Sequence, residues 1–154
     1  MSLSTMKLWK KIALCAVVVL ALIQLVPSDR QNPPVNADIR VSQDVKVILQ
    51  RACYDCHSNE TTWPWYSRVA PVSWLVHRDV VEGRAELNFS SWESMAPDKR
   101  AKKQLKIGKE VTAGEMPLWF YTPLHPHAAL TEADKQLLQS WSQSGAEPNA
   151  KAED

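Results

Sequence analysis

Glycine is scarce in this chain of 154 residues, with four in all, and neither a glycine-rich dinucleotide loop nor a P-loop occurs. Both motifs need glycines at fixed spacing so that backbone can approach phosphate, and nucleotide binding through either is set aside. No charge of one sign dominates: 18 Lys and Arg stand against 17 Asp and Glu, for a formal net charge of +1. A general nucleic-acid binder carries a marked basic excess, so no nucleic-acid partner is expected. Three cysteines are too few for the disulfide framework of a small secreted domain. Sustained period-two alternation is absent as well, which argues against a β domain. What the chain has instead is ten prolines, seven tryptophans, and ordinary proportions of charged (23%) and hydrophobic (45%) residues. That composition excludes wholesale disorder, and the length suits one domain of typical size.

Lys7, Lys10 and Lys11 precede an uninterrupted apolar run from Ile12 to Ile23, continued past Gln24 by Leu25 and Val26. Basic residues ahead of an apolar stretch hold that end in the cytoplasm and send the rest across the membrane. Residues 1–28 therefore read as a single-pass transmembrane anchor, with a cleavable signal peptide as the alternative. The run of about 15 residues is roughly 22 Å long as a helix, short of the ~30 Å hydrocarbon core. Val26-Pro27-Ser28 makes a poor processing site, which favours the anchor. Residues 29–38 are proline-rich and polar and predict an extended tether. The folded domain is expected over 39–145, and 146–154 form a polar tail.

Inside the domain the apolar spacing is helical. Ser42 is placed to cap a helix whose inner face is Val45, Ile48, Leu49 and Ala52. Pro71 opens a second helix, with Trp74, Leu75, Val80 and Val81 inward and an end near Gly83. Pro97 and Asp98 open a third, which carries Leu105, Ile107 and Val111 and closes at Gly114. Thr131 caps a fourth, with Glu132 and Asp134 in its first turn, Leu137, Leu138 and Trp141 inward, and Gly145 beyond its end. The fold class is all-α, with about four helices in the domain.

The residues that carry chemistry are Cys53-Tyr54-Asp55-Cys56-His57, a C-x-x-C-H motif. In c-type cytochromes two such thiols bond the vinyl groups of haem, and the adjoining histidine becomes the proximal iron ligand. Two residues between the cysteines match the separation of the vinyl groups, and the next residue is carried under the iron. One covalently attached haem c is therefore expected. A thioredoxin-like redox pair would want a βαβ context, which the chain lacks. A zinc site would want a second ligand pair, and only His77, His125 and His127 remain. A structural disulfide would leave His57 without a role.

The opposite face of the iron is the next question. Met116, in Gly114-Glu115-Met116-Pro117 between the third and fourth helices, is the candidate distal ligand, and core packing is its alternative. His125 is a second candidate, which would give a bis-histidine centre, and an open distal position is a third. Met95 is read as packing, His77 as a solvated residue and His127 as a surface one. Trp63, Trp65 and Tyr66, which follow the motif, and Trp119, Phe120 and Tyr121, which follow Met116, are expected to pack on the haem or in the core. Arg51, Arg68 and Arg78 are candidate partners for the haem propionates. Lys99, Arg100, Lys102, Lys103, Lys106 and Lys109 make the third helix basic, suited to an acidic redox partner, to anionic lipid head groups or to a solvated face.

On these residues the sequence resembles the bacterial family of small monohaem "haem-binding domain" proteins with an N-terminal membrane segment. The resemblance rests on QNPPVN, RACYDCHSNETTWPWYSRVAPVSWLV, EGRAELNFSSW and GEMPLWFYTPLHPHAALT, which together cover most of residues 30–142. It implies a cytochrome c-like monomeric haem domain, membrane-anchored and facing the periplasm, with Cys53, Cys56 and His57 holding the haem. Single-electron transfer is the function implied. A haem enzyme or sensor with an open distal site, peroxidase-like or gas-binding, is the alternative.

Overall fold

The computed structural model describes residues 3–144, and the expected tail at 146–154 and the stop at Gly145 lie outside them. The chain forms helices α1 (Leu3–Ile23), α2 (Gln43–Ala52), α3 (Tyr54–His57), α4 (Val72–Glu86), α5 (Pro97–Ala113) and α6 (Glu132–Ser144). Short 3₁₀ turns stand at Trp65–Arg68, Phe89–Ser94 and Pro126–Ala128, and no strand occurs among the described residues. The class is all-α, as expected. The four helices read from the sequence are α2, α4, α5 and α6, and α3 is the motif itself.

The expected transmembrane anchor is corrected. Among the described residues no helix is long and apolar enough to cross a membrane. Although α1 runs for 21 residues, it takes Lys7, Lys10 and Lys11 into its own length and stops at Ile23. The apolar part left, Ile12–Ile23, is roughly 18 Å as a helix, well short of the ~30 Å needed. The expected position at the cytoplasmic membrane, with the domain in the periplasm, falls with the anchor.

The residues group into two compact units. One comprises the chain up to Gln31 together with Trp63–Asp79. Within it the Gln24 side chain clasps Ala70 both ways, donating to its carbonyl at 3.1 Å and accepting from its N–H at 2.9 Å. Arg30 donates to Ser67 O at 3.3 Å, and His77 Nδ1 lies 2.7 Å from Asp29 O.

The other unit comprises Asn32–Thr62 and the chain from Val80 onward. Its core joins Val45, Ile48 and Leu49 of α2 to Tyr54, Phe89, Trp92, Ile107, Val111 and Leu138. All four apolar positions expected on α2 are buried. Ser42 stands at the N-cap of α2, yet its side chain makes no cap bond; its carbonyl takes the Lys46 N–H at 2.9 Å. Leu75, Val81 and Leu137, expected inward, are exposed, whereas Val80 and Leu138 are buried. Successive helical residues point about 100° apart, so an adjacent pair can be split between the core and solvent, as Val80 and Val81 are. Asn36, Ala37 and Ile39 donate N–H to Ser90 O and Phe89 O, which binds the end of the proline-rich segment to the Phe89–Ser94 turn.

α6 begins with a reciprocal cap. The Asp134 N–H reaches Thr131 Oγ1 at 3.1 Å, and the Thr131 N–H reaches Asp134 Oδ2 at 2.8 Å. Arg51 of α2 pairs with the same carboxylate at 2.5 Å and donates to His127 O and Ala129 O. The Arg51 hydrogen bond holds the Asp134 carboxyl down at about 2, against an ordinary 3.8. Because the folded value is depressed, this stabilisation is complete above about pH 4 and is lost as the pH falls toward 2. Acid titration of stability should therefore be steeper over that window in the native chain than in Asp134→Asn, and equal slopes would rule the contribution out.

Candidate functional site

The motif folds as one tight turn continuous with α2. The Cys53 N–H bonds Leu49 O at 2.9 Å, and the Cys56 and His57 N–H groups return to Cys53 O at 3.2 and 2.9 Å. Both spacer residues are anchored. The buried Tyr54 ring stacks on Phe89 with centroids 5.3 Å apart, and its hydroxyl donates to Asp38 at 2.8 Å and accepts from Lys46 at 2.6 Å. Burial and the Asp38 carboxylate push the Tyr54 hydroxyl well above the ordinary tyrosine range. Asp55 accepts the Thr62 N–H at 2.9 Å and the Tyr121 hydroxyl at 2.6 Å. Sequence reasoning gave these two residues no role, since x positions of a motif carry no spacing signal.

His57 Nδ1 lies 2.9 Å from Gly83 O and 3.2 Å from Leu87 O. Carbonyls only accept, so Nδ1 carries the proton and Nε2 keeps its lone pair. Burial lowers the His57 pKa, which keeps the ring neutral. A histidine committed in this way through one nitrogen presents the other to a metal.

This contact requires α4 to lie flush on the motif, and Gly83 permits it. A Cβ at Gly83 would stand 2.6 Å from Cys56 O and 3.2 Å from Cys56 Cβ. The expected helix end at Gly83 is thereby corrected: this glycine is interior to α4, which runs on to Glu86. It is there for close approach and not for termination.

A cavity of about 160 Å³ opens beside the motif, and Cys53, His57 and Met116 all lie on its wall. The rest of the wall is mostly apolar, with Ala52, Leu87, Phe89, Ile107, Val111 and Leu130. Gly114 carries the chain from α5 to Met116. Its φ of 74° is left-handed, its N–H bonds Val111 O at 3.2 Å, and the Glu115 and Met116 N–H groups bond Glu110 O at 3.0 and 3.3 Å. Cys56 is half-buried and does not line the cavity; its backbone lies against Gly83. Burial first, and the Cys56 sulfur second, push the Cys53 thiol up to about 12, so it stays protonated.

The other candidates lie elsewhere. The His125 ring stacks on Tyr121 at 4.0 Å, and the residue is not part of the cavity wall. Met95 packs against the core. The expected aromatic setting is revised: Trp65 and Trp119 are 77% and 81% exposed, and the aromatic ladder of the core is Tyr54, Phe89, Trp92 and Trp141. Arg51 is engaged with Asp134, and the cations on the cavity wall are Lys103 and Lys106. Both donate to Glu86 Oε1, at 2.6 and 3.0 Å, and these bonds hold the Glu86 carboxyl at about 2. Asn59 and Asn88, each in an Asn-x-Ser/Thr triplet, bond one another at 2.8 Å. Among the described residues no group of three or more His, Cys, Asp or Glu converges as a metal cluster, so a zinc site finds no ligand set.

Compared with known proteins, residues 18–144 match the model of a family described as a haem-binding domain. That span takes in the motif, the cavity wall and Met116. No curated protein and no solved structure gives a significant match.

Proposed function

The chain belongs to the haem-binding domain family and is a haem-binding protein, and from that premise we propose that it holds one haem c and passes single electrons. The observation that carries this reading is the meeting of Cys53, His57 and Met116 on one largely apolar cavity. The donor set fits the group. Cys53 and Cys56 would hold the haem through its two vinyl groups, each thiol supplying the sulfur and the hydrogen for one thioether link. His57 offers Nε2 to iron because Nδ1 is committed to the α4 carbonyls. Met116 offers a thioether, which favours the ferrous state and raises the potential.

The bound haem supplies the one-electron couple. The chain holds it in place, keeps His57 in one tautomer and excludes water with the apolar wall. Lys99, Lys102 and Lys109 of α5 are exposed and suit an acidic redox partner meeting a monomeric haem domain. The carrier reading is preferred to an enzyme or sensor because Met116 lies on the cavity wall, while Glu115 and His125, the residues that could handle protons for a peroxidase, do not.

Absorption spectra of the haem-loaded chain test the reading. The ferric form should show the near-infrared charge-transfer band of methionine ligation, lost in Met116→Ala and kept in His125→Ala. The reduction potential of Met116→Ala should fall by more than about 60 mV, a tenfold change in a one-electron equilibrium. A high-spin spectrum indifferent to Met116→Ala would overturn the carrier and direct attention to peroxide turnover and gas binding.

A further inference from the structure

We propose that Lys103 and Lys106 clamp the two propionates of haem, and that Glu86 is a resident carboxylate which occupies the clamp until haem arrives. The proposal rests on the haem reading above and adds to it the orientation of the group in the cavity. Haem is amphipathic, with an apolar macrocycle and two carboxylates on one edge. The cavity has the same division. Its wall is largely apolar, and the cationic groups on it are the two ammonium groups of Lys103 and Lys106.

These two lysines stand three residues apart on α5 and so share a face, one turn from each other. Their ammonium groups meet on a single oxygen, Glu86 Oε1. Two cations converging on one carboxylate oxygen form a site that already binds the functional group in question. Lys103 also donates to the Glu86 backbone carbonyl at 2.5 Å, which fixes it at the end of α4. Glu86 can leave readily, because its side chain is 53% exposed and swings into water without a burial cost. Glu110 lies on the cavity wall too, four residues beyond Lys106, so the two glutamates balance the two lysines while no ligand is bound. Departure of Glu86 gives the site the positive balance a dicarboxylate needs.

Three arginines of the same unit, Arg51, Arg84 and Arg100, are engaged elsewhere. Arg51 pairs with Asp134, and Arg84 donates to Ser58 O, Asn32 and Thr61. Arg100 pairs with Glu93.

The test uses the full chain produced without haem attachment, titrated with metal-free mesoporphyrin IX and with its dimethyl ester, followed by tryptophan quenching. Neither probe has iron or vinyl groups, so ligation and thioether formation do not enter. The free acid should bind about tenfold more tightly than the ester. The double substitution Lys103→Met and Lys106→Met should bring the acid to the level of the ester and leave ester affinity unchanged, which also reports that the cavity is intact. Glu86→Gln should tighten the acid severalfold and leave the ester alone. An acid preference that survives the double substitution, or equal binding of acid and ester by the native chain, overturns the clamp alone. If the native chain binds neither porphyrin, the clamp falls, and the spectra of the haem-loaded chain decide the haem reading separately.

Discussion

Phe89→Ala is expected to remove about 3–5 kcal/mol of folding stability, the range for deleting a fully buried aromatic side chain. No part of Phe89 is exposed, and its ring lies between Tyr54, at 5.3 Å, and Trp92, at 5.9 Å. The neighbours cannot close in on the space readily. Tyr54 is held from its far end by Asp38 and Lys46, and Trp92 is in contact with Trp141. Against a total of about 5–15 kcal/mol for a folded domain, this loss is severe. Thermal unfolding of the chain without haem, followed by circular dichroism, should show a midpoint lower by roughly 10–20 °C. The same ring lines the cavity, so the variant enlarges the site as it weakens the fold. A loss under about 1 kcal/mol would show that the core collapses around the gap and that the aromatic ladder is not rigid.

Gly83→Ala is expected to destabilise although intrinsic helix propensity says the opposite. Alanine inside a helix is favoured over glycine by about 1 kcal/mol. Here the added carbon would lie 2.6 Å from the backbone oxygen of Cys56, which has no flexible side chain to yield. Overpacking of this kind costs about 1–3 kcal/mol, and a contact with rigid backbone belongs at the upper end, so the net expectation is a loss of up to about 2 kcal/mol. A second effect separates this site from an ordinary clash. To relieve the contact α4 must move off the motif, and His57 Nδ1 then loses its bonds to Gly83 O and Leu87 O. If His57 is the proximal ligand as proposed, it would be less firmly oriented in the haem-loaded chain, and the potential should shift along with the stability. Denaturant midpoints for the native chain and the variant decide the first part. A more stable variant would show that the helix does not press on the motif.

Much of the helical framework was legible because it depends on local signals. The spacing of Val45, Ile48, Leu49 and Ala52 describes one face of one helix, and all four are buried. Thr131 and Gly114 act through bonds within a few residues of themselves, which is the range over which sequence pattern speaks. The meeting of Cys53 with Met116 was readable for a different reason, namely the familiar chemistry of the motif and the placing of a loop methionine before the last helix. What was not legible depends on tertiary approach. Gly83 looks like a helix stop until Cys56 is seen against it. Lys103 and Lys106 look like two more members of a solvated basic face until Glu86 and the cavity are seen beside them. The reading of the first residues failed on length. Counting apolar residues across Gln24 passed the point where α1 ends, while the lysines at its start are part of the helix.

The bond from the Tyr121 hydroxyl to Asp55 ties the segment that follows Met116 to the motif that contains His57. A carrier exchanges electrons quickly when its two oxidation states share nearly the same nuclear geometry. If His57 and Met116 hold the iron as proposed, a tie between their segments would limit how far they separate as the charge on the metal changes. Because Asp55 sits between the two cysteines, the brace acts within two residues of His57. On the carrier reading, removing it, as in Tyr121→Phe, would be felt as a larger reorganisation energy and slower self-exchange.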